Sequence, residues 1–272
     1  MKAHPFRASS AALACAAALF LAGCSGSNPV TPSGFTQTDA DDIAAQAGQA
    51  VAVGVVPSMN ASDGASSGVS GSAAARFDPN RAASFAQADT TFTSGGITYT
   101  LGVTFYDAGN NALSGYSPLA TRMVVTSRAT GLFTGQQFAA SLAEAGTLDV
   151  TGIEAAKDTL SFNGSCADSV DAAFQSLDGL GTRYFRWRSA AVLAGVPMLK
   201  NRQTNPYPLS GTLTYTVHAD RYGSNQYATV EKSWDATVVI TFNGTATPDL
   251  TVNGVYHYRL NLTNGTVTRS IA

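Results

Sequence analysis

Lysine and glutamate are almost missing from this 272-residue chain. Only Lys2, Lys157, Lys200 and Lys232 carry an ammonium, and only Glu144, Glu154 and Glu231 are glutamates. So few cations, at a formal net charge of −2, exclude the basic surface that a nucleic-acid binder needs. No apolar run reaches the roughly 20 residues of a membrane-spanning helix. Three cysteines, Cys15, Cys24 and Cys166, are too few for a disulfide framework, so stability must come from a core. A P-loop, a Gly-x-Gly-x-x-Gly after a strand, His-Glu-x-x-His and Cys-x-x-Cys are all lacking, and no cofactor or metal is expected. What is present points to β-structure: 30 threonines, and 44% hydrophobic residues. That hydrophobic share excludes a wholly disordered chain and supplies material for one sizeable domain.

The N-terminus reads as an export signal. Lys2 and Arg7 give a basic start, and residues 11–22 (AALACAAALFLA) form an apolar stretch of signal-peptide length. The stretch ends in Leu21-Ala22-Gly23-Cys24, which resembles the lipobox of bacterial lipoproteins over residues 1 to about 25. The resemblance implies that the Cys24 thiol receives diacylglycerol, that cleavage precedes Cys24, and that the new amine is acylated. Several acyl chains, at about 0.8 kcal/mol per buried CH₂, make such an anchor essentially permanent. Ordinary secretory cleavage with a free Cys24 is the alternative. Ser25 is not the Asp that retains such proteins at an inner membrane, so in a two-membrane cell the implied place is the outer membrane, facing the periplasm. Cleavage would leave 249 residues and, without Lys2 and Arg7, 14 cations against 18 acids, a formal charge of −4. Cys15 would leave with the signal, and Cys166 would have no partner in the chain. Cys166 then reads as a small buried hydrophobe rather than a reactive thiol.

Segment by segment, the expected organisation is a signal at 1–23, a polar tether at 24–35, a helical segment at 36–57, a low-complexity loop and connector at 58–89, and an antiparallel β domain at 90–272. The helix is expected over 39–53, capped by Thr38, with Asp41 and Asp42 in its first turn. Ile43, Ala47, Ala50 and Val51 share one face, and Gly54 and Pro57 end it. From residue 90 the period becomes two. Ile97, Tyr99, Leu101, Val103 and Phe105 alternate with more polar residues, as do Leu213, Tyr215 and Val217, and Tyr256, Tyr258, Leu260 and Leu262. Further strands are expected at 120–134, 146–151, 158–163 and 182–189. Residues 136–145 and 167–176 fit either a short helix or a strand. Turn signals stand at Gly109-Asn110-Asn111 and at the Asn-Gly pairs beginning at Asn163, Asn243, Asn253 and Asn264. Pro248 argues for a break at 247–249. Consecutive hairpins make antiparallel neighbours. The expected fold is mainly β, an antiparallel meander forming a curved sheet, sandwich or half-barrel, with an N-terminal helix.

Few local strings carry chemistry. Gly64-Ala65-Ser66-Ser67-Gly68 matches a nucleophile elbow in letters, but lacks the strand and helix that strain such a serine. His218, Asp220 and His257 would approach metal-ligand geometry only if their strands were neighbours. In Arg183-Tyr184-Phe185-Arg186-Trp187-Arg188, alternation sends Phe185 and Trp187 to one face, leaving Tyr184, Arg186 and Arg188 to contact an anionic or sugar-rich ligand, or simply to face solvent. No catalytic residues are gathered by spacing. The expectation is a non-enzymatic, lipid-anchored envelope protein of structural or interaction type, whose partners are the membrane through Cys24 and an envelope protein or lipid. A carrier of an apolar ligand, similar in outline to lipoprotein-carrier half-barrels, is the second reading, and an enzyme assembled from distant strands the third.

Overall fold

In a computed structural model, the described residues are 34–56, 59, 90–94, 96–134, 138–175, 182–201, 203–222 and 230–270. Cys24 with the whole lipobox, Gly64–Gly68 and nearly all of the 58–89 loop lie outside them. From the loop only Met59 is described, and it is fully buried.

The first described element is helix α1, Gln37–Ala50, followed by a π-helical turn, Val51–Val55. Its cap is Thr36, not Thr38. The Thr36 hydroxyl accepts from the Asp39 N–H, and the Asp39 carboxylate accepts from the Thr36 N–H at 2.7 Å. Two orphan donors of the helix end are thereby satisfied by one residue pair, which moves the start two residues upstream. The apolar face is as the spacing requires: Ile43, Ala47 and Val51 are fully buried.

Among the described residues twelve strands follow: β1 Thr90–Ser94, β2 Ile97–Tyr106, β3 Ala112–Leu113, β4 Arg122–Thr134, β5 Phe138–Thr151, β6 Thr159–Gln175, β7 Thr182–Leu199, β8 Thr212–Tyr222, β9 Val230–Thr241, β10 Asp249–Val252, β11 Tyr256–Leu260 and β12 Val267–Arg269. They form one antiparallel sheet in the order β1-β2-β4-β5-β6-β7-β8-β9-β10-β11-β12, with β3 beside β2. The path is a meander and does not close: the two end strands, β1 and β12, are not paired. The described parts of both undecided segments, 138–145 and 167–175, are strand and belong to β5 and β6.

The alternation holds. In β2, Ile97, Tyr99, Leu101, Val103 and Phe105 are buried while their neighbours are half-buried. Asn253 and Gly254, both at positive φ, turn β10 into β11 as the Asn-Gly signal requires. Asn163-Gly164 is different. It lies inside β6, where Phe162 pairs with Val196 but Gly164 with Leu193, a bulge rather than a hairpin. The Asn163 side chain accepts the Gly195 N–H at 2.9 Å, replacing the ladder bond lost there. Gly164 is required by space, since a Cβ would stand 2.2 Å from the Thr147 carbonyl oxygen.

Among the described residues one face of the sheet carries the buried side chains, which join those of α1 in a single core. The face is concave. Ser127 on β4 and Leu213 on β8 line one small cavity together with Val55, although four strand spacings would set them about 19 Å apart on a flat sheet. Helix α1 packs on β10, β11 and β12. Phe35, just before it, sits 6.4 Å from Trp234 and 5.7 Å from Tyr256, ring centre to ring centre.

On α1, Gly48 faces Gly265 in the turn between β11 and β12. A Cβ on Gly48 would stand 2.4 Å from the Gly265 carbonyl oxygen and 3.0 Å from Leu260 and Val267. Although alanine has the better helix propensity, we expect Gly48→Ala to destabilise the protein by about 1–3 kcal/mol, the usual cost of overpacking. A urea midpoint at or above that of the wild type would contradict this packing of α1.

Candidate functional site

Polar side chains on a buried sheet face need a reason, because burial without partners costs free energy. Five meet in the middle of this one. Strand pairing places Glu144 opposite Asp168, and Asp168 opposite Ser189. One step along, Cys166 pairs with Ala191, and Ala191 with Tyr215. Glu144 and Asp168 are each 5% exposed and Tyr215 is fully buried.

The carboxylate oxygens of Glu144 and Asp168 and the Cys166 sulfur all lie within 4.8 Å of one another. Ser189 Oγ donates to Asp168 Oδ2 at 3.0 Å. The other oxygen, Asp168 Oδ1, and the Tyr215 hydroxyl have no hydrogen-bond partner. Among the described residues no cation pairs with either carboxylate. Burial, reinforced by the charge of Asp168, therefore pushes the Glu144 carboxyl up to about 8. Burial also lifts Asp168 to about 6, against the opposing hydrogen bond from Ser189. The Cys166 thiol is driven far up by burial and then by both acids. The Tyr215 hydroxyl is raised by burial and then by Asp168, Cys166 and Glu144, and Tyr99 by burial and Glu144. Beside the cluster lies a cavity of about 20 Å³, lined by Glu144, Gly146, Cys166, Ala191, Leu213 and Val55 among others. That is room for about one water molecule or one small ion.

No protein family, curated protein or solved structure matches the chain. The chemistry of this cluster therefore has to be read from its own geometry. A thiol held in its protonated form is a poor nucleophile, and a raised carboxyl such as Glu144 is a general acid only when substrate can reach it. The cavity is too small for that. What the three groups share is the ability to lose protons together to a cation.

The residues singled out in the sequence lie elsewhere. Phe185 and Trp187 point into the core, with Phe185 stacked on Trp234 at 5.7 Å, so Tyr184, Arg186 and Arg188 fall on the opposite face. Arg186 Nε donates to Asp171 at 3.0 Å and its guanidinium lies 5.7 Å from the Tyr222 ring centre. Arg188 is exposed and registers with His218. His218 Nδ1 is 3.0 Å from Asp235 and Nε2 is 3.5 Å from Asp220. His257 is on β11, with β9 and β10 between it and β8, so the two histidines are not on neighbouring strands.

Glu144, Cys166 and Asp168 were not expected as a group. Period two puts Cys166 and Asp168 on one face of β6, but only because β6 runs as one strand through 159–175, where the sequence points to a turn at Asn163-Gly164 and leaves 167–176 undecided. Their approach to Glu144 depends on the β5–β6 register, which no local motif states.

Proposed function

We propose that this is a lipid-anchored cell-envelope protein that acts without catalysis, as a structural or interaction module facing the periplasm from the outer membrane. The anchor rests on Leu21-Ala22-Gly23-Cys24, and the outer-membrane address on Ser25. The observation that favours this reading over a carrier is the filling of the concave face. Trp187, Tyr215, Tyr258, Phe105, Phe162 and Phe185 are all buried within it to below 2% exposure. The 20 Å³ cavity among them is far from the roughly 300–1,000 Å³ of a small-molecule pocket. The outer face, with its threonines and the Tyr184, Arg186 and Arg188 stripe, is the surface left for an envelope partner or lipid.

The anchor is tested by Cys24→Ser. The wild-type protein should stay with membranes through a high-salt wash and leave only in detergent. The variant, without its acyl acceptor, should be recovered almost wholly in the soluble fraction. A variant that remains membrane-bound after the salt wash would overturn the lipobox reading. Lipid extracted in stoichiometric amount with the soluble variant would favour the carrier instead.

A further inference from the structure

We propose that Glu144, Cys166 and Asp168 form a buried binding site for one zinc ion. The three donor atoms already lie within 4.8 Å of one another on adjacent strands β5 and β6. Tetrahedral zinc, at about 2.0–2.3 Å from each ligand, requires ligand separations of about 3.3–3.8 Å. The upper limit of 4.8 Å exceeds that spacing by about 1 Å.

Two further observations point to a ligand. Tyr215 is fully buried and its hydroxyl lacks a partner, and strand register sets it on the same face, with Ala191 between it and Cys166. Asp168 Oδ1 is likewise buried and unpartnered, while its other oxygen is held by Ser189. A metal ligand oriented by a second hydrogen bond of this kind is the usual outer-shell arrangement. The cavity against Glu144 and Cys166 supplies volume for about one water molecule, enough for a fourth ligand.

The donor set selects the metal. A thiolate disfavours magnesium and calcium, which take six or more oxygens, and tetrahedral sulfur with oxygen donors suits zinc. On binding, the protons of the thiol and of whichever carboxyl still carries one leave to solvent. The three negative charges then meet the two positive charges of the ion, and the hydroxyls of Ser189 and Tyr215 can donate to the remainder. The ion supplies the counter-charge that the described residues do not.

The test uses the purified protein in detergent, stripped with a chelator and titrated with zinc chloride. One zinc per chain is expected with a dissociation constant below about 1 μM, and the melting temperature should rise with zinc concentration, since the ion binds only the folded site. Cys166→Ser and Asp168→Asn should each weaken binding at least tenfold while the far-ultraviolet circular dichroism stays that of the wild type. Cobalt in place of zinc should give a sulfur-to-metal charge-transfer band that Cys166→Ser abolishes. Should a variant not fold, X-ray absorption on the zinc-loaded wild type decides: one sulfur neighbour at about 2.3 Å is expected. Absence of binding at 1 mM zinc, or a coordination shell of nitrogen and oxygen alone, would overturn the proposal. So would affinity unchanged in Cys166→Ser and Asp168→Asn, which would place the ion elsewhere, for instance at His218.

Discussion

Tyr258→Ala should lower the unfolding free energy by about 3–5 kcal/mol, the range for loss of a large buried side chain. Tyr258 is 1% exposed on β11, in the part of the sheet against which α1 packs. Its ring fills the helix–sheet interface, and its hydroxyl donates to Asp41 Oδ1 at 2.9 Å while accepting from the Gln37 amide at 2.9 Å. Asp41 is completely buried, and Arg269 pairs with its carboxylate through two guanidinium nitrogens. The alanine variant therefore loses apolar burial, leaves a cavity, and removes a donor from a buried carboxylate. Tyr258→Phe separates the contributions. It keeps the ring and loses one charge-assisted hydrogen bond, so it should cost about 1.5–3 kcal/mol. Urea unfolding of the three proteins at one pH measures both. A cost for Tyr258→Ala below about 1 kcal/mol, with loss of co-purifying lipid, would mean that this face holds a ligand space, and the carrier reading would replace the packed one.

The same residues show how far the sequence could be read. Period two at 97–105, 213–217 and 256–262 assigns the inward residues, because a half-buried strand has to alternate and the threonines between them tolerate the outer face. The Asn253-Gly254 hairpin follows from the positive φ that both residues adopt without much strain. Asn163-Gly164 carries the same letters and makes a bulge, since what decides between the two is the neighbour. Gly195 on β7 supplies the N–H, and Thr147 on β5 the close carbonyl. The helix cap was misplaced for a related reason. Thr36 and Thr38 can each cap, and the choice falls to Thr36 because Asp39 also pairs with Lys232 at 2.6 Å, a contact made 193 residues away in sequence. Most of the candidate site was out of reach by this argument. Cys166 and Asp168 share a face only once β6 continues past Asn163-Gly164 as one strand, and Glu144 joins them through register, a property of the assembled sheet.

Chelator-treated protein should become less stable as pH rises from about 4.5 to 8, the reverse of the usual behaviour of acidic residues. Burial raises Glu144 to about 8 and Asp168 to about 6, from ordinary carboxyl values of 4.5 and 3.8. In the unfolded chain both acids titrate near those ordinary values. Across the window the native state holds protons that the unfolded state has released. Stability therefore falls with pH, because the unfolded state binds fewer protons there. The contribution is intact below about pH 4 and lost once Glu144 ionises near 8. The displacement of Glu144 alone corresponds to at most about 5 kcal/mol, at 1.36 kcal/mol for each tenfold change in proton affinity, and water entering the cavity on ionisation will reduce it. Asp107, lowered by its hydrogen bonds from Asn111, works in the opposite sense, but only in the acid range below its ordinary value. Glu144→Gln removes the titrating proton while keeping the shape, so it should match the wild type near pH 5 and exceed it at pH 8. Melting curves at half-unit pH steps, with chelator present throughout, give the comparison. Zinc should cancel much of the difference at pH 8 in the wild type and little in the variant, since only the carboxylate gains from the ion. A glutamine variant less stable than the wild type at pH 8 under chelator would mean that Glu144 is ionised there against a cation, and that the cluster is a salt bridge rather than an unfilled site.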